Sequence, residues 1–216
     1  MDNKEKIARR AAKFLKDGDL VNLGIGIPTL VGNYVDPDVE VTLQSENGFI
    51  GLGPMPEHGK EEKDVVNAGG HPVTILTGGS CFDSCMSFAL IRGGHVSSTI
   101  LGAFEVDQEG SIANWMVPGK KVPGMGGAMD LLVGAKNVII TMEHTTKDGR
   151  PRILKKCSLP LTAMHVVDYI VTELCVLHFT EEGLVLEELA EGVTLREVFE
   201  KTEAELIIPR EIGSAE

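Results

Sequence analysis

The succession of strand, glycine turn, helix and strand between Leu20 and Glu46 constrains this sequence most. Leu20, Val21, Asn22 and Leu23 read as a short strand, and Gly24-Ile25-Gly26 as the turn that ends it. Pro28 suits the first turn of a helix, where a missing N–H removes no bond, and that helix is expected to reach about Tyr34. A second strand is expected over residues 39–43, leading to Glu46. Two strands joined through a helix point to an α/β architecture. Upstream, residues 3–16 form an amphipathic helix pattern, with Ile7, Ala8, Ala11, Phe14 and Leu15 on one face and Gly18 at the C-terminal cap.

The remaining pattern continues in kind. Strands are expected at 71–76, 96–106, 111–115, 137–142, 168–172, 175–179 and 184–189, with a last edge strand at 206–208. Asp83 can cap a helix over 84–91, a short helix is expected over 128–133, and Thr194 can cap a helix through Lys201, with Glu197 placed as in a capping box. Residues 54–64 read as a solvated loop. With no repeat, linker or low-complexity segment, the working expectation is one mixed α/β domain over residues 1–216.

Composition narrows the function. Twenty basic residues against 32 acidic ones leave a net charge of −12, so the basic patch needed for nucleic acid or a membrane surface is missing. Residues 1–17 carry charge where a signal peptide would carry an apolar core, and the four cysteines read as reduced thiols, so a cytoplasmic protein is expected. The six histidines are scattered without an H-E-x-x-H pair, no serine lies in G-x-S-x-G, and no metal site is expected. Gly24-x-Gly26 followed by Glu46 has the outline of a dinucleotide fingerprint, but Thr29 replaces the third glycine and Pro28 interrupts the motif.

Glu46 then becomes the residue of interest. Asn47-Gly48 is a tight-turn pair, and the oily Phe49-Ile50-Gly51-Leu52-Gly53-Pro54 is expected to follow as a glycine-rich loop. An acid on that turn would lie at the carboxyl end of a strand, where open α/β sheets place ligands. It either closes the turn with a hydrogen bond or acts as a nucleophile. Three glycine loops, at Gly24-x-Gly26, Gly78-Gly79 and Gly124-x-Gly126-Gly127, could offer N–H donors to developing negative charge. A glutamate facing such donors can attack an acyl thioester, splitting one transfer into two easier displacements.

The stretch Leu43-Gln44-Ser45-Glu46-Asn47-Gly48-Phe49-Ile50-Gly51 resembles the S-E-N-G region of the B (β) subunit of 3-oxoacid CoA-transferases. The similarity extends over almost the whole chain, through Val21-Asn22-Leu23-Gly24-Ile25-Gly26-Ile27-Pro28, Ser87-Phe88-Ala89-Leu90-Ile91-Arg92-Gly93-Gly94-His95, Ala113-Asn114-Trp115-Met116-Val117-Pro118-Gly119-Lys120, Pro123-Gly124-Met125-Gly126-Gly127-Ala128-Met129-Asp130-Leu131 and Met142-Glu143-His144. The chain looks most like the two-subunit acetate/butyrate–acetoacetate enzymes. The resemblance implies a three-layer α/β/α domain with a central mixed, largely parallel sheet. It also implies a ping-pong reaction with Glu46 as nucleophile, a glutamyl-CoA thioester as intermediate, and CoA as substrate rather than cofactor. An A (α) subunit would complete the cleft, in an α2β2 or related assembly. Carried over residue by residue, Asn47 and Gly48 form the mount of Glu46. Gly24, Gly26, Gly126 and Gly127 become oxyanion or CoA neighbours, and Asn114 and Lys120 CoA contacts. One departure is Gly70, where some family members place a lysine after Asn-Ala-Gly. Transferases for 3-oxoadipate or glutaconate, and a non-catalytic small-molecule-binding chain, are the alternatives.

Overall fold

The computed structural model describes residues 2–119, 122 and 124–213. In chain order the elements are α1 (Asn3–Ala12), β1 (Leu20–Leu23), α2 (Ile27–Val31), β2 (Thr42–Ser45), β3 (Phe49–Leu52), β4 (Ile75–Cys81), α3 (Ser84–Arg92), β5 (Ser98–Gly102), β6 (Glu105–Asp107) and β7 (Ile112–Ala113). They continue with α4 (Ala128–Gly134), β8 (Asn137–Thr141), β9 (Ile153–Leu154), β10 (Tyr169–Val171), β11 (Cys175–Thr180), β12 (Gly183–Leu189), α5 (Leu195–Lys201) and α6 (Arg210–Gly213).

A nine-stranded sheet in the order β12-β11-β10-β8-β5-β1-β2-β3-β4 forms the middle layer. Its centre, β10-β8-β5-β1-β2, is parallel, and both ends turn antiparallel. Alternate residues of the central strands therefore face two different cores. Val21, Ile100, Ile139 and Val171 meet Ile7, Ala8 and Ala11 of α1 and Val31 of α2. Leu101, Val138, Ile140 and Ile170 meet Ile91 of α3, Leu131 and Leu132 of α4, and Val198 of α5. The second core also takes Val106, Ile112 and Ile153 from a small sheet, β7-β6-β9. The α/β architecture with a mixed central sheet is as expected.

Several boundaries differ for identifiable reasons. α1 stops at Ala12 rather than near residue 16, because Phe14 and Leu15 donate to Ala11 O and Ala12 O in tightened i→i+3 turns. β2 starts at Thr42, the partner of Leu20, since a turn at Asp36 takes up the N–H groups of Asp38 and Val39. The expected strand over 96–106 is divided at Ala103-Phe104 between the large and small sheets. Residues 206–208 contribute a single parallel bridge, Val185 to Ile207, instead of a strand.

The two largest corrections flank Glu46. Phe49–Leu52 is strand β3, not a loop, and Gly78-Gly79 lies inside edge strand β4. Glycine serves there to let backbones cross closely. A Cβ on Gly51 would lie 2.7 Å from Gly79 Cα, and one on Gly79 would lie 2.8 Å from Ile50 O. The β3–β4 register shifts at this crossing, between Ile50 and Leu52.

Candidate active site

Glu46 occupies the three-residue turn of the β2–β3 hairpin, just past the pair Ser45 and Phe49. The turn is closed by the Gly48 N–H donating to Ser45 O at 3.1 Å. Gly48 has φ +130°, and a Cβ there would overlap the Phe82 carbonyl, whose own N–H donates to Gly48 O at 2.8 Å. No other residue fits that position without rebuilding the turn. The neighbouring segment is tied on as well: Asn47 Nδ2 donates to Val66 O at 2.8 Å and the Ala68 N–H donates to Ser45 Oγ at 3.1 Å. Asn67 Oδ1 accepts from the N–H groups of Gly69 and His71, which shapes this segment into a compact turn beside the hairpin.

Behind the hairpin a buried amide row holds β2 in register. Asn22 Nδ2 donates to Gln44 Oε1 at 2.7 Å, and Gln44 Nε2 donates to Ser87 Oγ of α3 at 3.0 Å. All three side chains are buried. Glu46 follows Gln44 by two positions and reaches the same face. A Cβ placed on Gly127, at the start of α4, would lie 3.0 Å from Glu46 Cγ and 3.3 Å from Phe88 Cζ of α3. Partial burial pushes the Glu46 carboxyl above the ordinary glutamate range, against the opposing pull of its own backbone N–H. The result is a rigidly mounted, partly desolvated carboxylate at the carboxyl ends of the parallel strands. Such a group is a stronger base and nucleophile than a solvated one.

The other expected site residues fall into three groups. Gly126 (φ +54°) and Gly127 form the turn into α4 beside Glu46, and Gly26 (φ +93°) precedes α2 on the open side of the β1 turn. Gly24 and Gly48 stand nearby, but their N–H groups are engaged, the first by Ile100 O at 2.9 Å and the second within its turn. Neither is an oxyanion donor in this conformation. Asn47 and Asn114 also spend their amides on the protein. Asn114 Nδ2 donates to Gly102 O at 3.1 Å while its Oδ1 accepts from Thr162 Oγ1 at 2.7 Å. Lys120 lies outside the described residues.

One feature of the site escapes the sequence reading: the Phe88 ring reaches the space beside Gly127 that Glu46 Cγ also approaches, because α3 packs beside α4. Arg152 serves the fold instead: it donates to the carbonyls of Ala103, Phe104 and Glu143, pinning the chain just past β5 and β8. His144, in the same Met142-Glu143-His144 stretch, is structural. Thr202 Oγ1 donates to Val198 O, so it accepts from His144 Nε2–H at 2.8 Å, and Nδ1 accepts from Thr172 Oγ1 at 3.0 Å. Burial drives the ring pKa down to about 4, so it is neutral at pH 7.

Two grooves open elsewhere and Glu46 lines neither. One of about 520 Å3 runs between α3, α4 and Met164. The other, of about 850 Å3, is bordered by Phe104, Trp115, Arg150 and Lys156. Among the described residues no helix is long and apolar enough to cross a membrane, and no group of three or more His, Cys, Asp or Glu is arranged to hold a metal ion.

The coenzyme A transferase family model matches residues 4–201. The chain belongs to the coenzyme A transferase family. It is 60% identical to the beta chain of the acetate CoA-transferase of Haemophilus influenzae, over 96% of this chain and 93% of that protein. The Escherichia coli K12 protein of the same name is 53% identical, over 99% of this chain and 98% of its own length. The B chain of a succinyl-CoA:3-ketoacid coenzyme A transferase of Helicobacter pylori is 52% identical over 94% of this chain and 97% of that protein. Among solved structures, an acyl-CoA transferase of E. coli O157:H7 superposes with a TM-score of 0.77 at 23% identity, covering 98% of this chain but 42% of that one. A variant of the decarboxylase AibA/AibB shares the fold at a TM-score of 0.70 and 18% identity, so fold likeness alone does not select the transferase chemistry.

Proposed function

We propose that this CoA-transferase chain is the catalytic B subunit of an enzyme that moves CoA between a short-chain or 3-oxoacyl-CoA and a carboxylic acid. Its partner is an A subunit that closes the open side of Glu46, in an α2β2 or related assembly. The observation that carries the reading is the Glu46 carboxylate, raised in basicity by burial, on a side chain whose Cγ packs beside Gly127 at the mouth of the hairpin. The acetate and 3-ketoacid names of near-full-length relatives support it.

The mechanism follows from that carboxylate. Glu46 attacks the thioester carbonyl, the C–S bond breaks, and CoA leaves as thiolate from an acyl-glutamyl anhydride. The thiolate attacks the glutamyl carbonyl, releasing the first acid as carboxylate and leaving a glutamyl-CoA thioester. A second carboxylate repeats the sequence in reverse and takes the CoA away. Every step exchanges an oxygen or sulfur nucleophile at one carbonyl, so no cofactor is needed and CoA is a substrate. Because the chain carries a net charge of −12, backbone N–H groups and a few local cations, together with the partner subunit, receive the CoA phosphates. Relatives named for acetate stand at 60% and 53% identity and one named for succinyl-CoA at 52%, ranges that meet, so overall similarity does not choose the acid pair. Pocket shape does, at about 1–3 kcal/mol per methylene.

The test uses the chain purified with its A subunit. Incubation with acetoacetyl-CoA followed by hydroxylamine or borohydride is expected to modify Glu46, and Glu46→Gln is expected to abolish exchange. Undiminished exchange in Glu46→Gln would sink the mechanism.

A further inference from the structure

Among the described residues, the Glu46 carboxyl receives a hydrogen bond from its own backbone N–H and from no other donor. Something else must aim it, because a free glutamate side chain samples several rotamers. The packing around Gly127 supplies that restraint. Glu46 Cγ and the Phe88 ring converge on the space a Cβ would take at Gly127, one from the hairpin turn and one from α3. Phe88 is held in turn. The Arg92 guanidinium lies 5.9 Å from the centre of its ring, one helical turn on, and Arg92 Nε donates to Asp130 Oδ1 of α4 at 2.6 Å. Arg92 is largely exposed and the ion pair adds little stability, but it joins α3 to α4 beside Glu46.

We propose that Phe88 is a positioning residue for the transfer reaction: its ring holds the Glu46 side chain against Gly127, fixing the line of attack and keeping water from that flank. The inference rests on Glu46 as the nucleophile. A reacting group displaced by about 1 Å can lose roughly 100-fold in rate, so an aromatic wall at this point acts on turnover more than on binding. The charged and titratable groups on the elements packed here are Arg92 with Asp130, Asp83 (which caps α3 by accepting from the Met86 N–H), Cys81, Cys85 and His71. Removing the ring admits water beside the carboxylate without changing any of these groups.

The experiment compares Phe88→Ala, Phe88→Leu and Glu46→Gln in the complex with the A subunit. It measures kcat, KM for the acyl-CoA, and the pH profile of kcat/KM. For Phe88→Ala the expected result is a loss of about 10–100-fold in kcat with KM changed less than about threefold, and an acid limb moved to lower pH. Phe88→Leu, which restores bulk, should recover most of the loss. If Phe88→Ala fails to assemble, Gly127→Ala probes the same contact from the other side, and it should lower kcat while leaving the melting temperature nearly unchanged. A Phe88→Ala complex with wild-type kcat and an unmoved acid limb overturns the inference while leaving the nucleophile intact, provided Glu46→Gln is dead. Wild-type kcat in Gly127→Ala does the same. If Glu46→Gln remains active, the mechanism itself fails and the role of Phe88 falls with it.

Discussion

Gly48 and Glu46 show how much can rest on a single position in this hairpin. At φ +130°, with the Phe82 carbonyl where a Cβ would go, Gly48 is the residue that allows Glu46 to project. Gly48→Ala should cost about 2–4 kcal/mol, combining left-handed strain with displacement of Phe82, and activity should fall further than stability. Chemical denaturation alongside an exchange assay checks this; a fully stable, fully active variant would contradict the turn geometry. The Glu46 carboxyl makes the opposite trade. Its folded-state pKa is raised, so over the window between the ordinary glutamate value and the raised one the native state binds more protons than the unfolded chain. Stability from this group is therefore lost as pH rises through that window. Glu46→Gln should melt at or above the wild-type temperature at pH 8 while losing exchange, which differential calorimetry can test. A clear drop in melting temperature would mean that the carboxylate stabilises the fold instead.

Elements around the site are matched by polar as well as apolar contacts. The row Asn22, Gln44 and Ser87 ties β1, β2 and α3 together behind the nucleophile. Thr99 of β5 pairs in register with Asn22 and faces the same side, yet its buried hydroxyl has no partner among the described residues. Thr99→Val keeps the shape and removes the unsatisfied group, so it should stabilise the chain by about 1 kcal/mol. A urea midpoint lower than wild type would show that this hydroxyl is satisfied. The helix caps illustrate the same rule of local supply. Asp83 and Thr194 accept from Met86 and Glu197 N–H groups as their spacing suggests, but the Glu197 carboxylate turns to Lys201 at 2.6 Å and leaves the capping box half made. A four-residue spacing on the surface won over the return to the cap.

For the molecule as a whole, the core that α3 and α4 share with α5 has a second polar anchor away from Glu46. His144 is buried neutral between Thr172 and Thr202, linking the end of β8 to α5. Its pKa falls from 6.5 to about 4, mainly because burial penalises the charged ring. The unfolded chain binds the extra proton first, so this contribution is intact above pH 6.5 and is lost as pH falls toward about 4. The full loss amounts to on the order of 3 kcal/mol. His144→Asn should be destabilised at pH 7 but lose stability less steeply below it, a difference visible in urea midpoints at pH 7, 6 and 5. Parallel slopes in the two proteins would remove His144 as the acid-sensitive group. Assembly belongs to the same level. Glu46 lines neither groove, and Ile25, in the turn between β1 and α2, is 72% exposed, in keeping with the proposed A subunit.

Hydrophobic periodicity, capping residues and glycine turns were enough to read an α/β chain, most of its central strands and the placement of Glu46 after β2. Those signals are local: they depend on residues within one helical turn or one strand. The long S-E-N-G region and its companions pointed to the CoA-transferase family, which the match over residues 4–201 establishes. Folding decided what depended on distant contacts. Gly78-Gly79 looked like a loop because glycine is common in loops, yet it permits β4 to cross β3 closely. Gly24 looked like a free donor until β5 took its N–H, and Phe88 was an ordinary helix residue until α4 and the β2–β3 hairpin brought Gly127 and Glu46 beside it. Side-chain chemistry is written in the chain, but whether a donor is spent or a carboxylate is desolvated depends on which strand or helix arrives beside it.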